Sequence, residues 1–359
     1  MSAILDFGLP EVTAVVTLLM LNAYVLTGGA DFGGGVWDLF ARGPRRGEQR
    51  QLIAEAIGPI WEANHVWLVV VVVMLFGAFP PVFSLLGIVL HIPLTAMLVG
   101  IVLRGCAFVF RKYGTVRRWE RHWGRMFASA SLITPVLLGV CVGAVAGGAV
   151  GRAAALLPAG PGARAIPSFV QVFVAPWLAL FPMVVGILAL ALFAFLAAVY
   201  LTLAAPTAAL RHDFRRYAYG AAVVAFGAAL GGLLLAPGEA SRLGAGLAST
   251  AAALALRAAI AVAGLAALLA LRSEWWCAAR IAAAALVSLI LWDWALAQYP
   301  YLVPFTLTIC EAAAPRITLQ LLLGGLAGGS LLVIPALAYL FRTFSGSGAA
   351  RADVRRAGS

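Results

Sequence analysis

Nine apolar runs, each about as long as a bilayer is thick, divide this chain and leave it little choice of fold. They fall at roughly 12–34, 57–79, 82–104, 126–150, 177–203, 217–236, 250–271, 278–297 and 317–341. A helix needs about 20 such residues to cross the hydrocarbon core. In that core only helices and closed barrels satisfy every backbone polar group internally. Of the 359 residues, 63% are hydrophobic and 11% charged, against about a quarter charged in an ordinary soluble domain. That much apolar surface cannot be hidden from water in one globule. The expectation is an all-α membrane protein of nine transmembrane helices, forming a single integral membrane domain over 1–359.

The charges set its direction. A net charge of +11 is no nucleic-acid signature here, because the basic residues cluster in short loops between apolar runs. The segments after runs one, three, five, seven and nine hold 20 of the 25 basic residues, among them Arg42, Arg45, Arg46, Arg50, the Arg104–Arg125 group, Arg211, Arg215 and Arg216. The alternate side holds Arg152, Arg164, Arg242, Arg257 and Arg316. Positive charge favours the cytoplasmic side, so the N-terminus is expected outside and the C-terminus in the cytoplasm. Cys106, Cys141, Cys277 and Cys310 are scattered without paired spacing, which argues against a disulfide framework or a zinc site. Phosphate-binding loops, metal-spaced His/Glu pairs and nucleophile elbows do not occur.

Two acids stand inside the apolar runs. Asp31 lies in TGGADFGGG near the inner end of run one, and Glu62 lies in GPIWEANHVW near the start of run two. A carboxylate at membrane depth is costly and usually faces a protein interior or a hydrated path. If runs one and two pack as an antiparallel hairpin, the two acids are neighbours at the cytoplasmic side and suit a proton inlet. The glycines around Asp31 admit water or a neighbouring backbone. Trp61 and Trp67 flank Glu62, Asn64 is within reach of it, and His65 at i+3 shares its helix face. The bland alternatives are a boundary aspartate that reaches headgroup water and a glutamate hydrogen-bonded to Asn64.

Other features carry less. His65 and His91 are the membrane-embedded histidines; haem ligation, a proton relay and packing are all open to them. Asp293 between Trp292 and Trp294 reads as an interfacial belt, and Glu311 as a loop or partner contact. The stretch Arg117–Arg125 is basic and amphipathic and reads as a headgroup-level anchor. The stripes Gly139/Gly143/Gly147 and Gly324/Gly325/Gly328/Gly329 predict close helix contacts, within this chain by default. Pro93 and Pro182 are candidate helix breaks, as a proton-coupled secondary transporter would have. A purely structural scaffold is the other rival.

Four stretches resemble subunit II of the cytochrome bd-type quinol oxidases, closest to the cyanide-insensitive branch: LTGGADFGGGVWDL (Leu26–Leu39), the run from Ile57 to Phe83 with WEANHVW and FPPVF, FAFLAAVYLTLAA (Phe193–Ala205) and YPYLVPFTLTICEAAAP (Tyr299–Pro315). The resemblance implies two four-helix bundles plus one helix. It implies a partner, subunit I, holding haems b and d, and a bacterial cytoplasmic membrane in which the pair oxidises quinol and reduces dioxygen with cytoplasmic protons. Subunit II of that family binds no haem itself and contributes carboxylates to proton uptake. The family's first aspartate falls on Asp31 and its W-(D/E)-x-N acid on Glu62, which makes Asp31, Glu62, Asn64 and His65 the expected proton path. A quinone held in this chain, a small accessory subunit and membrane lipids are further partners that the resemblance allows.

Overall fold

The structure is a computed structural model that describes residues 8–57, 61–113, 117–157, 168–239 and 251–357. Arg164 and Arg242, counted above on the outer side, lie outside the described residues, as do the side chains of Trp61 and of 111–121.

Length and apolarity make the helices; breaks come where proline or polar loops interrupt them. In order these are α1 (Leu9–Phe40), α2 (Arg46–Ile57), α3 (Trp61–Ala78), α4 (Pro80–Val89), α5 (His91–Tyr113), α6 (Arg117–Ala146), α7 (Ala149–Ala154), α8 (Phe169–Phe173), α9 (Ala175–Leu178), α10 (Leu180–Ala204), α11 (Ala208–Glu239), α12 (Ala251–Arg272) and α13 (Trp276–Gln298). A two-stranded antiparallel hairpin follows, β1 (Tyr301–Val303) and β2 (Leu307–Thr308), then α14 (Ile309–Ala312) and α15 (Arg316–Ala357). Among the described residues eight helices are long and apolar enough to cross a bilayer, and α3 with α4 makes a ninth if that bent pair is one span.

The third expected helix is misplaced. The run 82–104 merges two elements, because α3 and α4 meet at a bend of 115° around Phe79 and the spanning helix is α5. Hydropathy sees no bend. The cause is Pro80-Pro81: proline has no N–H to continue a helix and starts a new one instead. Pro93 and Pro182, by contrast, sit in the first turns of α5 and α10, where proline disturbs nothing. The basic stretch from Arg117 forms the first turns of α6.

Packing centres on α10, which is buried without interruption from Ala191 to Val199. It touches α1, α6, α11 and α13, and the largest core runs along these helices. The α6–α10 crossing is close because of its small residues: a Cβ at Gly139 would stand 2.6 Å from Ala189 Cβ, and one at Gly143 2.7 Å from Pro182 Cα. The second stripe does not behave as expected. At Gly324, Gly325, Gly328 and Gly329 of α15 a Cβ would meet nothing within 4 Å, and beyond Leu319 no described side chain of that helix is buried. Tight packing within this chain is not their explanation.

The two ends of the bundle differ. At one end α4 packs with α7, the hairpin and α14 over Phe79, Val303 and Leu319, Ala314 donates to the Ala78 carbonyl at 2.8 Å, and the Cys310 thiol donates to Glu11 Oε1 at 3.0 Å. At the other, Arg45 grips Asp213 with two hydrogen bonds, Gln49 adds a third, and Arg215 pairs with Glu274. Among the described residues, the α1–α2, α10–α11 and α12–α13 connections are therefore gathered at one end.

Candidate proton-conducting centre

Asp31 is held where α1 meets its neighbours most closely. At Gly33, two residues on, a Cβ would lie 2.0 Å from the Phe193 carbonyl oxygen of α10. The glycines thus admit a neighbouring backbone and sink Asp31 into the bundle, 3% exposed. Its carboxylate accepts a hydrogen bond from Asn64 Nδ2 of α3, and Asn64 is itself only 1% exposed. One helix therefore presents the acid and the next satisfies it, which fulfils the expected hairpin contact between α1 and α3.

Glu62 does not share that burial. It is exposed on the chain's own surface, in line with Val66, Val69, Val73 and Phe76, all exposed as well. Spacings of three and four put these on one face of α3, while Asn64, Val71 and Met74 line the buried one. The expectation that Glu62 sits desolvated beside Asp31 is corrected for this chain by itself: Asn64 is the α3 residue that meets the aspartate. His65 lies between the two faces. Its ring stands edge-on to Tyr24, centroids 6.0 Å apart, and tilted to Phe32 at 5.8 Å. His91 begins α5 and packs on Phe173 at 5.3 Å, so the two histidines do not face one another. As a bis-histidine haem site they do not fit, and no step here is routed through a haem in this chain.

Arg104 stands apart from the place its charge suggests. The loop pattern puts it in the cytoplasm; in the fold it is a fully enclosed side chain of α5, 2% exposed. Its guanidinium lies over the Phe32 ring at 4.6 Å and the Phe127 ring at 5.2 Å, and Nε donates to Ser131 Oγ of α6 at 3.2 Å. Its positive charge and the negative charge of Asp31 act on each other across this cluster. A buried charge needs such a partner, because an isolated one costs several kcal/mol or more. The sequence held one signal: Gly105–Phe110 continues the apolar run past Arg104. Asp38 was also missed. It is 3% exposed, at i+7 from Asp31 and so about 10 Å further along the same face. Its backbone carbonyl accepts from Arg50 Nε and Nη2 at 3.1 and 3.0 Å.

Away from the centre, Asp293 is more than a belt residue: it faces Arg257 Nε across α12 and α13 at 3.9 Å. Glu311 closes a capping box with Thr308 at the start of α14. The Thr308 backbone N–H and hydroxyl hold the Glu311 carboxyl below its usual range.

Four helices thus converge on buried Asp31, Asn64, Arg104 and Ser131, with Asp38 between them and the arginine-rich end. A family model described as cytochrome bd terminal oxidase subunit II matches residues 9–344. The chain belongs to that family. Relatives within this bd oxidase subunit II family include the cytochrome bd ubiquinol oxidase subunit 2 of Bacillus subtilis, 36% identical over 126 residues, or 35% of this chain and 36% of that one. The cytochrome bd-I ubiquinol oxidase subunit 2 of Escherichia coli K12 is 26% identical over 125 residues, 35% of this chain and 32% of its own. The matched stretches therefore span about a third of these curated relatives. In fold the likeness is nearly complete: a chain of the bd oxidase structure from Geobacillus thermodenitrificans superposes with TM-score 0.73, covering 94% of this chain and 98% of that one at 21% identity. Membership of a terminal-oxidase family displaces the transporter reading.

Proposed function

We propose that this chain is the non-haem subunit of a membrane quinol:dioxygen oxidoreductase, seated in the bacterial cytoplasmic membrane with its N-terminus outside and its C-terminus in the cytoplasm. Its domain is single, two four-helix bundles plus one helix. Its partner is a subunit I that carries haems b and d and oxidises quinol, and lipids surround both. Bound quinone or a small accessory subunit would be additional to this core pair.

Within the pair this chain delivers cytoplasmic protons toward the dioxygen-reducing site. The observation that carries the reading is the buried Asp31–Asn64 hydrogen bond beside Arg104. A carboxyl group removed from water and held by one neutral donor can take and release a proton without leaving its place. Asn64 orients it, and His65 lies one residue on along α3. Glu62, exposed on an apolar face, becomes enclosed when subunit I covers that face and then forms the second carboxylate of the route. The uncovered glycines of α15 suit the same covering, since small residues let a partner helix approach closely.

The test uses the assembled oxidase. Glu62→Gln and Asp31→Asn are expected to retain the haem spectrum while quinol-driven oxygen uptake falls about a hundredfold, the scale of a positioned proton-transfer group. Full uptake in both variants would leave the chain a scaffold.

A further inference from the structure

The centre contains polar atoms that the path described so far does not use. Arg104 Nη2 is buried without a hydrogen-bond partner, and so is Thr134 Oγ1. Thr134 is 1% exposed. Both belong to the α5–α6 contact, where antiparallel helices set two residue pairs one turn apart. Arg104 meets Ser131 in one. In the other Gly100 meets Thr134, and the fit is so close that a Cβ at Gly100 would lie 2.2 Å from Thr134 Oγ1. The space for that hydroxyl exists only because position 100 is glycine. Gly35 of α1 does the same for Ser131, where a Cβ would fall 2.1 Å from Oγ.

A third group follows from covalent structure. Pro135 lies inside α6 and has no N–H, so it cannot donate to the carbonyl four residues earlier. That carbonyl belongs to Ser131. One turn of α6 therefore offers a freed backbone acceptor and an unpartnered hydroxyl, and α5 offers an unpartnered guanidinium N–H opposite them. Leaving a buried polar group unsatisfied is unfavourable, and buried waters settle where two to four such groups converge.

We infer that Arg104 Nη2, Thr134 Oγ1 and the Ser131 carbonyl bind one ordered water, and that this water extends the Asp31 centre along α6 as a member of the proton route. The water accepts from Arg104 and donates to the Ser131 carbonyl, and Thr134 completes its shell as acceptor or donor. A proton taken up on one side is matched by one released on the other, so the transfer needs no further reactant. Thr134 is a positioning residue: it acts through the water. This inference rests on the proton-uptake reading above.

The experiment compares Thr134→Val, Thr134→Ser, Pro135→Ala, Asp31→Asn and Glu62→Gln in the assembled oxidase, with haem spectra as the measure of assembly. Oxygen uptake is followed against pH and in deuterated buffer. Valine keeps the shape and removes the hydroxyl. Alanine at 135 restores the N–H that engages the Ser131 carbonyl and leaves the centre's side chains alone. Both are expected to slow uptake about tenfold, to shift its pH profile and to raise its solvent isotope effect, because a broken hydrogen-bonded chain interrupts transfer. Serine should recover most of the rate. Should Thr134→Val fail to assemble, Pro135→Ala decides alone. Parent-like rate, pH profile and isotope effect in Pro135→Ala, or in an assembled Thr134→Val, would overturn the water. If Asp31→Asn or Glu62→Gln is slow in that case, the uptake reading survives it; if both are also fast, both readings fall.

Discussion

Among the described residues, Asp31 shares its burial with Arg104 and Asp293 faces Arg257, and the two sites are built differently. Asp31 and Arg104 are 3% and 2% exposed, contributed by α1 and α5, with Asn64, Ser131 and two phenylalanine rings filling the space around them. Asp293 and Arg257 join only the adjacent helices α12 and α13, at 3.9 Å, and their side chains keep 17% and 27% exposure. The first site is closed to bulk solvent, and its side chains depend on enclosed partners. The second keeps part of its hydration. Sequence spacing makes both look like acids near a membrane boundary, yet only one is placed where its charge must have compensation.

The sharpest way to break this comparison is Arg104→Ala. It strips two ring contacts and a hydrogen bond from the core and leaves the buried Ser131 hydroxyl without its donor, a loss of about 1–3 kcal/mol from the unsatisfied group alone. Little assembled oxidase should be recovered, as judged by haem content of the purified membrane fraction. If yield and haem content are normal, the inner pair is no more demanding than the outer one and the contrast fails. Asp293→Asn should cost about 1 kcal/mol or less, the scale of a partly hydrated pair, with oxygen uptake unchanged; a thermal melt of the complex and an uptake assay measure the two. The smallest effect is expected at the hairpin end. Glu311 has its value depressed by Thr308, so its contribution to the α14 cap is present above the usual glutamate range and is lost as pH falls through the lower, folded value. Hydrogen-exchange protection around 307–313, taken relative to the intrinsic rate at each pH, should therefore fall on acidification. Glu311→Gln should flatten that response, and an unchanged response would show that another group controls the cap.

Much of the architecture was legible because apolar length is a one-dimensional property. Runs one and four to nine correspond to α1, α6, α10, α11, α12, α13 and α15, with ends moved by a few residues or extended by polar turns. Where the reading failed, the missing information was directional. The run 82–104 was apolar throughout, yet Pro80-Pro81 turned α4 aside and displaced the spanning helix toward Tyr113. That displacement moved Arg104 from a loop into the bundle and hid half of the centre. Likewise Glu62 and Asn64 are two residues apart, and a helix rotates about 100° per residue, so their neighbourhoods are nearly opposite. Which of them met Asp31 depended on how α3 was turned, and the near-uniform valine run gave no stripe from which to tell. Gly139 and Gly324 show the same limit: both were marked as contact positions, and one finds α10 while the other finds nothing in this chain.

By itself the sequence determined that the chain is a helical membrane protein, how many apolar runs it has, and that Asp31 stands at membrane depth, since transfer from water to lipid depends on composition along the chain. The tertiary structure alone decided that Asp31 is answered by Asn64 and Arg104, that Glu62 looks outward, and that glycines at 35 and 100 make room for Ser131 and Thr134. Those outcomes depend on helix rotation and crossing, which are set by side chains packing across the bundle from residues far apart in the chain.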